Sequence, residues 1–286
     1  MKEIIYFIEF LLVKFLLIIC KIIGYKLASN FGFFIGKNFG NFFRKKKSII
    51  ENLYKSKIVI KISDNQFANN VLGNYGRILA EYPFLKDFRK NKLEQFIKID
   101  GIENLNKIKN NNKPVVFISG HFNNFELMAM QIEKNGINLA AIYRPLNNIF
   151  LNKTMEQIRT KYICKNQIRK GRSGTRQILE NLKKGNSIAL MIDQRVTQGI
   201  KIDFFGNLAS TTTIPAQIIK KYECDLVPIY IERLEKYNFK MYVSQPIAIN
   251  SEKSQEEISK HLNKILEKMI LKNPDQWIWT HNRWKK

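Results

Sequence analysis

The segment Val115-Val-Phe-Ile-Ser-Gly-His-Phe-Asn-Asn-Phe-Glu126 constrains the fold of this chain more than any other. An apolar run closed by glycine reads as a buried strand, and Phe122 to Asn135 reads as the helix that follows it. His121 then sits at the carboxyl end of a strand, where open α/β sheets place their chemistry.

Glu126 lies five residues beyond His121, an awkward helical offset. At about 100° per residue the two side chains would diverge by roughly 140° on one continuous helix. They can meet only if His121 occupies the turn and Glu126 the first turns of the helix. Gly120 permits the sharp entry, and Asn123 or Asn124 can cap the helix. Glu126 would then hold the imidazole in one tautomer and favour its charged form, leaving His121 to act as a general base. The spacing alone equally fits a turn histidine near a solvated glutamate.

The remaining periodicities build an alternating chain. Short apolar strands are expected at Gln95–Asp100, Pro114–Ser119, Asn138–Tyr143, Ser187–Ile192, Leu226–Ile231 and Phe239–Val243. Helices are expected at Asp64–Glu81, Asn147–Tyr162, Thr175–Lys184, Pro215–Tyr222 and Glu256–Leu271, with Pro215 in a first turn capped by Thr213. Such alternation predicts an α/β fold, a mixed central sheet with helices on both faces. The length of 286 residues suits one large domain, expected over residues 27–286, and no linker or internal repeat divides it.

Residues 1–26 are expected to form a membrane-associated helix. Fifteen of the twenty residues Ile4 to Ile23 are Ile, Leu, Phe or Val, enough to cross a bilayer core. Glu9, Lys14 and Lys21 oppose this, since two central charges cost about 5–7 kcal/mol and the apolar residues return roughly as much. Glu3, Lys14 and Lys21 fall close to one helical face, which also suits a helix lying in the interface. A buried helix of a soluble core is a third option. A signal peptide fits poorly, because the stretch is long, charged and lacks a cleavage-type ending. The basic run Arg44-Lys-Lys-Lys47 would lie against anionic head groups.

Lys and Arg number 48 against 24 Asp and Glu, a net charge of +24. This implies a polyanionic partner: nucleic acid, anionic membrane, phosphorylated substrate or acidic protein. The aromatic and basic residues lie within apolar strands and helices and not on a basic-aromatic platform, which argues against nucleic acid. Cys20, Cys164 and Cys224, with three histidines, offer no metal-ligand spacing.

Polar groups recur at the strand ends: His121 after one strand, Arg144 after another, and Asp193-Gln194-Arg195 after a third. Each has a plain alternative as a surface ion pair. No G-x-S-x-G, P-loop or G-x-G-x-x-G motif occurs, and Ser119, close to His121, makes a poor dyad with it. Direct general-base attack is therefore preferred to a covalent intermediate. The tail, Trp277-Ile-Trp-Thr-His-Asn-Arg-Trp284, is either an interfacial aromatic anchor or a core lid, the lid being favoured.

Taken in order, these motifs resemble the bacterial lipid A biosynthesis acyltransferases, within the wider lysophospholipid-acyltransferase-like superfamily. Arg44 with Asn52-Leu53, Gly120-His-Phe-x-Asn-x-Glu126, Tyr143-Arg-Pro145, Arg169 to Gly174, Asp193-Gln194, Phe204-Phe-Gly206, Thr211 to Pro215, Val227-Pro228 and Gln276-Trp through Arg283-Trp-Lys285 carry the likeness. Asn123 departs from a common glycine, and Phe125 from a common tryptophan. The resemblance implies acyl transfer from acyl carrier protein to a hydroxyl of an anionic lipid A precursor at the bacterial inner membrane, with no cofactor. It assigns His121 as base and Glu126 as its orienting carboxylate. Arg144 would bind a substrate phosphate or stabilise developing negative charge, while Asn124, Asp193 and Gln194 would shape the pocket. Another acceptor, a lysophospholipid or a mannosylated phosphatidylinositol, would leave the same motifs.

Overall fold

A computed structural model describes residues 2–250 and 252–285; Met1, Ser251 and Lys286 lie outside the described residues. In chain order the helices and strands are α1 (Lys2–Ile23), α2 (Tyr25–Phe43), α3 (Lys46–Ser56), α4 (Asp64–Glu81), α5 (Leu85–Arg89), β1 (Ile97–Asp100), α6 (Ile102–Asn111), β2 (Val116–Ser119), α7 (Glu126–Lys134) and β3 (Leu139–Tyr143). They continue as α8 (Ile149–Ile158), β4 (Asn166–Arg169), α9 (Arg172–Lys183), β5 (Ser187–Met191), β6 (Ile200–Phe204), β7 (Asn207–Thr211), α10 (Ile214–Tyr222), β8 (Leu226–Arg233), β9 (Phe239–Val243) and α11 (Gln255–Lys272).

The apolar run of β2 is buried at all four positions, as a strand in the middle of a sheet must be. It pairs in parallel with β5 on one side and β8 on the other, Val116 standing against Ile188 and Leu226. The seven-stranded sheet runs β1-β9-β8-β2-β5-β3-β4. Five neighbours, β8, β2, β5, β3 and β4, are mutually parallel, whereas β8 and β9 pair antiparallel, so the sheet is mixed as expected. Parallel pairing brings the carboxyl ends of β2, β5, β3 and β4 to one edge, and the polar groups that follow them converge there.

Helix α7 starts four residues later than its pattern predicts, at Glu126. The intervening turn is held otherwise: Phe122 forms a bridge to Trp277, and Asn123 adopts φ 42°. Asn tolerates this left-handed conformation better than other non-glycine residues, which accounts for Asn standing where glycine is common. Its side-chain amide donates to Gln276 Oε1 at 2.7 Å and fastens the turn to the carboxyl-terminal tail. Neither Asn123 nor Asn124 caps α7; the position before Glu126 is Phe125, with no side-chain cap. Thr213 does occupy the residue before α10 but also makes no side-chain cap.

The tail is core. Trp277, Trp279 and Trp284 are 3%, 0% and 7% exposed, and Trp277 and Trp279 pack edge-on at 4.7 Å. This excludes an interfacial aromatic anchor and supports the closing role.

Helix α1 follows helical periodicity, with Tyr6, Phe10, Val13, Leu17 and Cys20 more covered than the stripe Ile8, Leu11, Phe15, Ile18 and Ile22. Lys21 pairs with Asp87, and Asn148 donates to Glu9 and to the Tyr6 carbonyl, so α1 is fastened to the body. Gly24, at φ 84°, breaks the chain direction before α2. Among the described residues no helix is long and apolar enough to cross a membrane.

Candidate active site

His121 lies in the turn after β2, outside α7, where the glycine-closed strand pattern places it. Its Nδ1 is 2.8 Å from Asp193 Oδ1, and its backbone N–H donates to Asp193 Oδ2 at 2.8 Å. A carboxylate only accepts, so Nδ1 carries the proton and Nε2 is left with its lone pair. Trp277 Nε1–H also donates to Asp193 Oδ2, at 2.8 Å. Asp193 is 1% exposed. Burial alone would raise its carboxyl, but the His121 ring and the N–H donors outweigh it and hold the group at about 2. Phe125 packs edge-on against the imidazole, ring centres 4.7 Å apart.

This corrects the expected partner. Glu126 does not orient His121 here; its Oε1 accepts from Tyr82 Oη at 2.8 Å and from Arg159 Nε and Nη2 at 2.9 and 2.7 Å. The reason is positional. Glu126 opens α7 and faces the buried Tyr82 and the π-helical turn Arg159–Ile163 that continues α8, while Asp193 reaches His121 from the loop that follows the adjacent strand β5. Burial disfavours the Arg159 charge, but Glu126 and Tyr82 more than compensate and raise its pKa.

The other expected residues divide into two sets. Arg144 and Gln194 line a cavity of about 590 Å³ at the sheet's carboxyl edge, together with His121 and Glu126. Asn124 does not reach it: it is fully buried and donates to Glu81 Oε2 at 3.2 Å. Asp193 is likewise behind the wall, bonded to His121. Asn124 therefore braces the turn against a buried ion pair, Glu81 with Arg233, whose nitrogens lie 2.7 and 3.0 Å from the carboxylate.

The cavity has a cationic rim and an apolar wall. Arg44, Arg144, Arg159, Arg169 and Lys170 contribute charge, and Ala141, Ile142, Ile178, Ala189, Leu190 and Ile278 contribute hydrocarbon. Burial, with the nearby Arg144 charge, lowers the Lys170 pKa. His281 enters from the tail, its Nε2 accepting the Arg195 backbone N–H at 3.0 Å. Tyr82 and Arg159 carried no sequence motif that marked them, whereas Trp277 and His281 lie within the tail motif that carries part of the resemblance. Among the described residues no three His, Cys, Asp or Glu side chains are grouped to hold a metal ion.

A basic imidazole aligned by a buried carboxylate, beside an apolar cavity with a cationic mouth, suits hydroxyl activation next to a fatty chain. Comparison with known proteins agrees. Residues 1–286 match the family described as bacterial lipid A biosynthesis acyltransferase. The chain is 24% identical over 217 residues to the lipid A biosynthesis palmitoleoyltransferase of Escherichia coli (strain K12), covering 73% of this chain and 68% of the relative. It is 23% identical over 202 residues to the lipid A biosynthesis lauroyltransferase of the same organism, covering 68% and 63%. To lipid A biosynthesis acyltransferase 2 of Shigella flexneri it is 22% identical over 192 residues, 66% and 60% of the two chains. With its whole length matched, the chain belongs to the bacterial lipid A biosynthesis acyltransferase family and is an O-acyltransferase.

Proposed function

We propose that this protein moves a fatty acyl chain from acyl carrier protein to a hydroxyl of a lipid A precursor, on the cytoplasmic face of a bacterial inner membrane. Residues 1–26 would serve as the membrane-associated helix and residues 27–286 as the acyltransferase domain. The observation that carries the reading is the Asp193–His121 pair opening onto the cavity. Nε2 of His121 takes the acceptor hydroxyl proton as that oxygen attacks the thioester carbonyl carbon. The C–O bond forms, the C–S bond breaks, and the imidazolium returns its proton to the departing thiolate. Asp193 fixes the tautomer and stabilises the transient imidazolium.

Other features support the substrates. The apolar wall suits a hydrocarbon chain. Arg144, Arg169 and Lys170 at the rim suit phosphate groups of the acceptor or the phosphopantetheine arm of the donor. Glu126 serves the site by holding Arg159 in the wall, with Tyr82 behind it, a positioning role. The net charge of +24 suits an acidic carrier protein and an anionic leaflet.

The test incubates washed membranes containing the protein with acyl carrier proteins of varied chain length and, separately, a lipid A precursor or a lysophospholipid. Transfer to the lipid A precursor is expected, and His121→Ala is expected to abolish it at unchanged protein level. Transfer only to lysophospholipid would reassign the acceptor. Retention of more than a tenth of wild-type turnover by His121→Ala would remove it as the base.

A further inference from the structure

The loop after β5 orients two imidazoles, and it does so in opposite senses. Asp193 accepts from His121 Nδ1, leaving Nε2 of His121 free to take a proton. Two residues on, the Arg195 backbone N–H donates to His281 Nε2 at 3.0 Å. Nε2 of His281 is therefore the accepting nitrogen, and Nδ1 carries the hydrogen. Nδ1 has no hydrogen-bond partner among the described residues, and His281 lines the same cavity as His121. One ring is thus set to accept a proton and the other to donate a hydrogen bond.

The reaction under the proposed function needs such a donor. When the hydroxyl oxygen bonds to the thioester carbon, the carbonyl oxygen becomes an oxyanion. Backbone N–H groups of the turn beside the base are a common source of stabilisation, but here they are engaged. His121 N–H donates to Asp193, Phe122 N–H to the Gly120 carbonyl, and Asn123 N–H to the Gln276 carbonyl. Several side-chain donors around the cavity are also committed: Tyr143 to Glu156, Arg159 to Glu126, and Gln167 to the Cys164 carbonyl.

Resting on the acyl-transfer reading above, we infer that His281 is a further catalytic residue, whose Nδ1–H stabilises the oxyanion formed at the thioester carbonyl. Burial lowers the pKa of His281 and nearby His121, Arg283 and Lys170 add to this against the opposing Asp193 charge, which keeps the ring in the neutral form the role requires. As the C–S bond breaks, the oxyanion collapses to the ester carbonyl and the hydrogen bond relaxes. His281 gives up no proton, and atoms and charge balance through His121 alone.

Three substitutions separate donation from mere support of the loop. Glutamine at position 281 can accept the Arg195 N–H through its oxygen and donate through its amide. Glutamate can accept but not donate, and alanine can do neither. Both transfer to lipid A precursor and slow hydrolysis of the acyl thioester without a lipid acceptor are measured, because both form the same oxyanion. His281→Ala and His281→Glu are expected to lower kcat about 10²-fold in both assays, with KM and melting temperature little changed. His281→Gln is expected to recover at least tenfold of that loss. A kcat for His281→Ala within threefold of wild type would overturn the inference. So would equal activity of the Glu and Gln variants, since only loop support would then be at stake. Failure of the acceptor assignment alone would leave hydrolysis, and hence the test of His281, intact.

Discussion

Asp193 receives three N–H groups on two oxygens: Oδ1 from the His121 ring, Oδ2 from the His121 backbone and the Trp277 indole. That asymmetry dictates what its amide would do. In Asp193→Asn the amide nitrogen cannot face two N–H donors, so it must take the Oδ1 position and donate to Nδ1 of His121. The imidazole proton then moves to Nε2, and the ring can no longer act as the base. Turnover is expected to fall about 10³- to 10⁴-fold with the fold retained, measured as kcat beside a melting curve. Glu126→Gln is expected to cost less, since its carboxylate serves Arg159 and Tyr82 and not the imidazole. A Glu126→Gln loss equal to that of Asp193→Asn would return Glu126 to the proton path. The sequence placed His121 after a glycine-closed strand, and it placed Asp193 at the end of another strand. It named Glu126 and not Asp193 as the orienting carboxylate, because the right choice depends on β2 and β5 being sheet neighbours, which spacing along the chain does not encode.

At the scale of elements, the strand pattern was legible and several helices were not. Asp64–Glu81 matches α4 at both ends, because its apolar residues keep a clear helical period and Ser63 caps it. Helix α2 was not among the expected helices, and its Gly32, Gly36 and Gly40 are poor helix formers. In the fold they are contact surface: a Cβ on Gly36 would lie 2.2 Å from the Leu72 carbonyl oxygen, and one on Gly76 of α4 would lie 2.0 Å from that of Gly32. The edge strand β4 escaped because Ile168 is its one fully buried residue. The hairpin of β6 and β7 turns at Phe205 and Gly206, φ 53° and 73°, where Phe hides a turn that favours Asn-Gly. Gly76→Ala tests the helix contact. Alanine gains about 1 kcal/mol in helix propensity, but the clash is with backbone and cannot be relieved by a rotamer. Overpacking of this kind costs about 1–3 kcal/mol, and here the upper end applies because α2 and α4 must separate. The same interface carries Ser29 to Glu81 at 2.6 Å and Arg77 to Ser29 at 2.9 Å, so separation also weakens buried hydrogen bonds. Urea unfolding is expected to show a net loss of about 1–2 kcal/mol, while a midpoint equal to or above wild type would mean the helices already have room.

For the whole molecule, the net charge of +24 and the apolar face of α1 are two different handles on one surface. Ile8, Leu11, Phe15, Ile18 and Ile22 are 51%, 49%, 61%, 56% and 78% exposed along a single stripe. The charges of α1 that would resist burial are partly turned inward, Lys21 to Asp87 and Glu9 to Asn148. An exposed apolar stripe of this kind suits a helix lying in the plane of an interface, the stripe toward lipid. Arg44, which lines the cavity, opens the basic run Arg44-Lys-Lys-Lys47, so head-group contact would bring the reaction to the membrane plane. Basic residues at an anionic surface give about 1 kcal/mol each and are screened by salt, whereas inserted apolar side chains give about 1.5–3 kcal/mol when fully buried and are not. The two terms therefore separate in a flotation assay on vesicles of phosphatidylethanolamine and phosphatidylglycerol. Wild-type protein is expected to float at low salt and to remain largely bound at 1 M salt. The triple variant Ile8→Ser, Leu11→Ser, Phe15→Ser is expected to bind at low salt but to elute at 1 M, because charge alone then holds it. Its core should be unaffected, since these three side chains are substantially exposed in the folded chain. Complete release of wild type by salt would mean that the stripe does not enter the bilayer and that charge alone brings the cavity to its substrate.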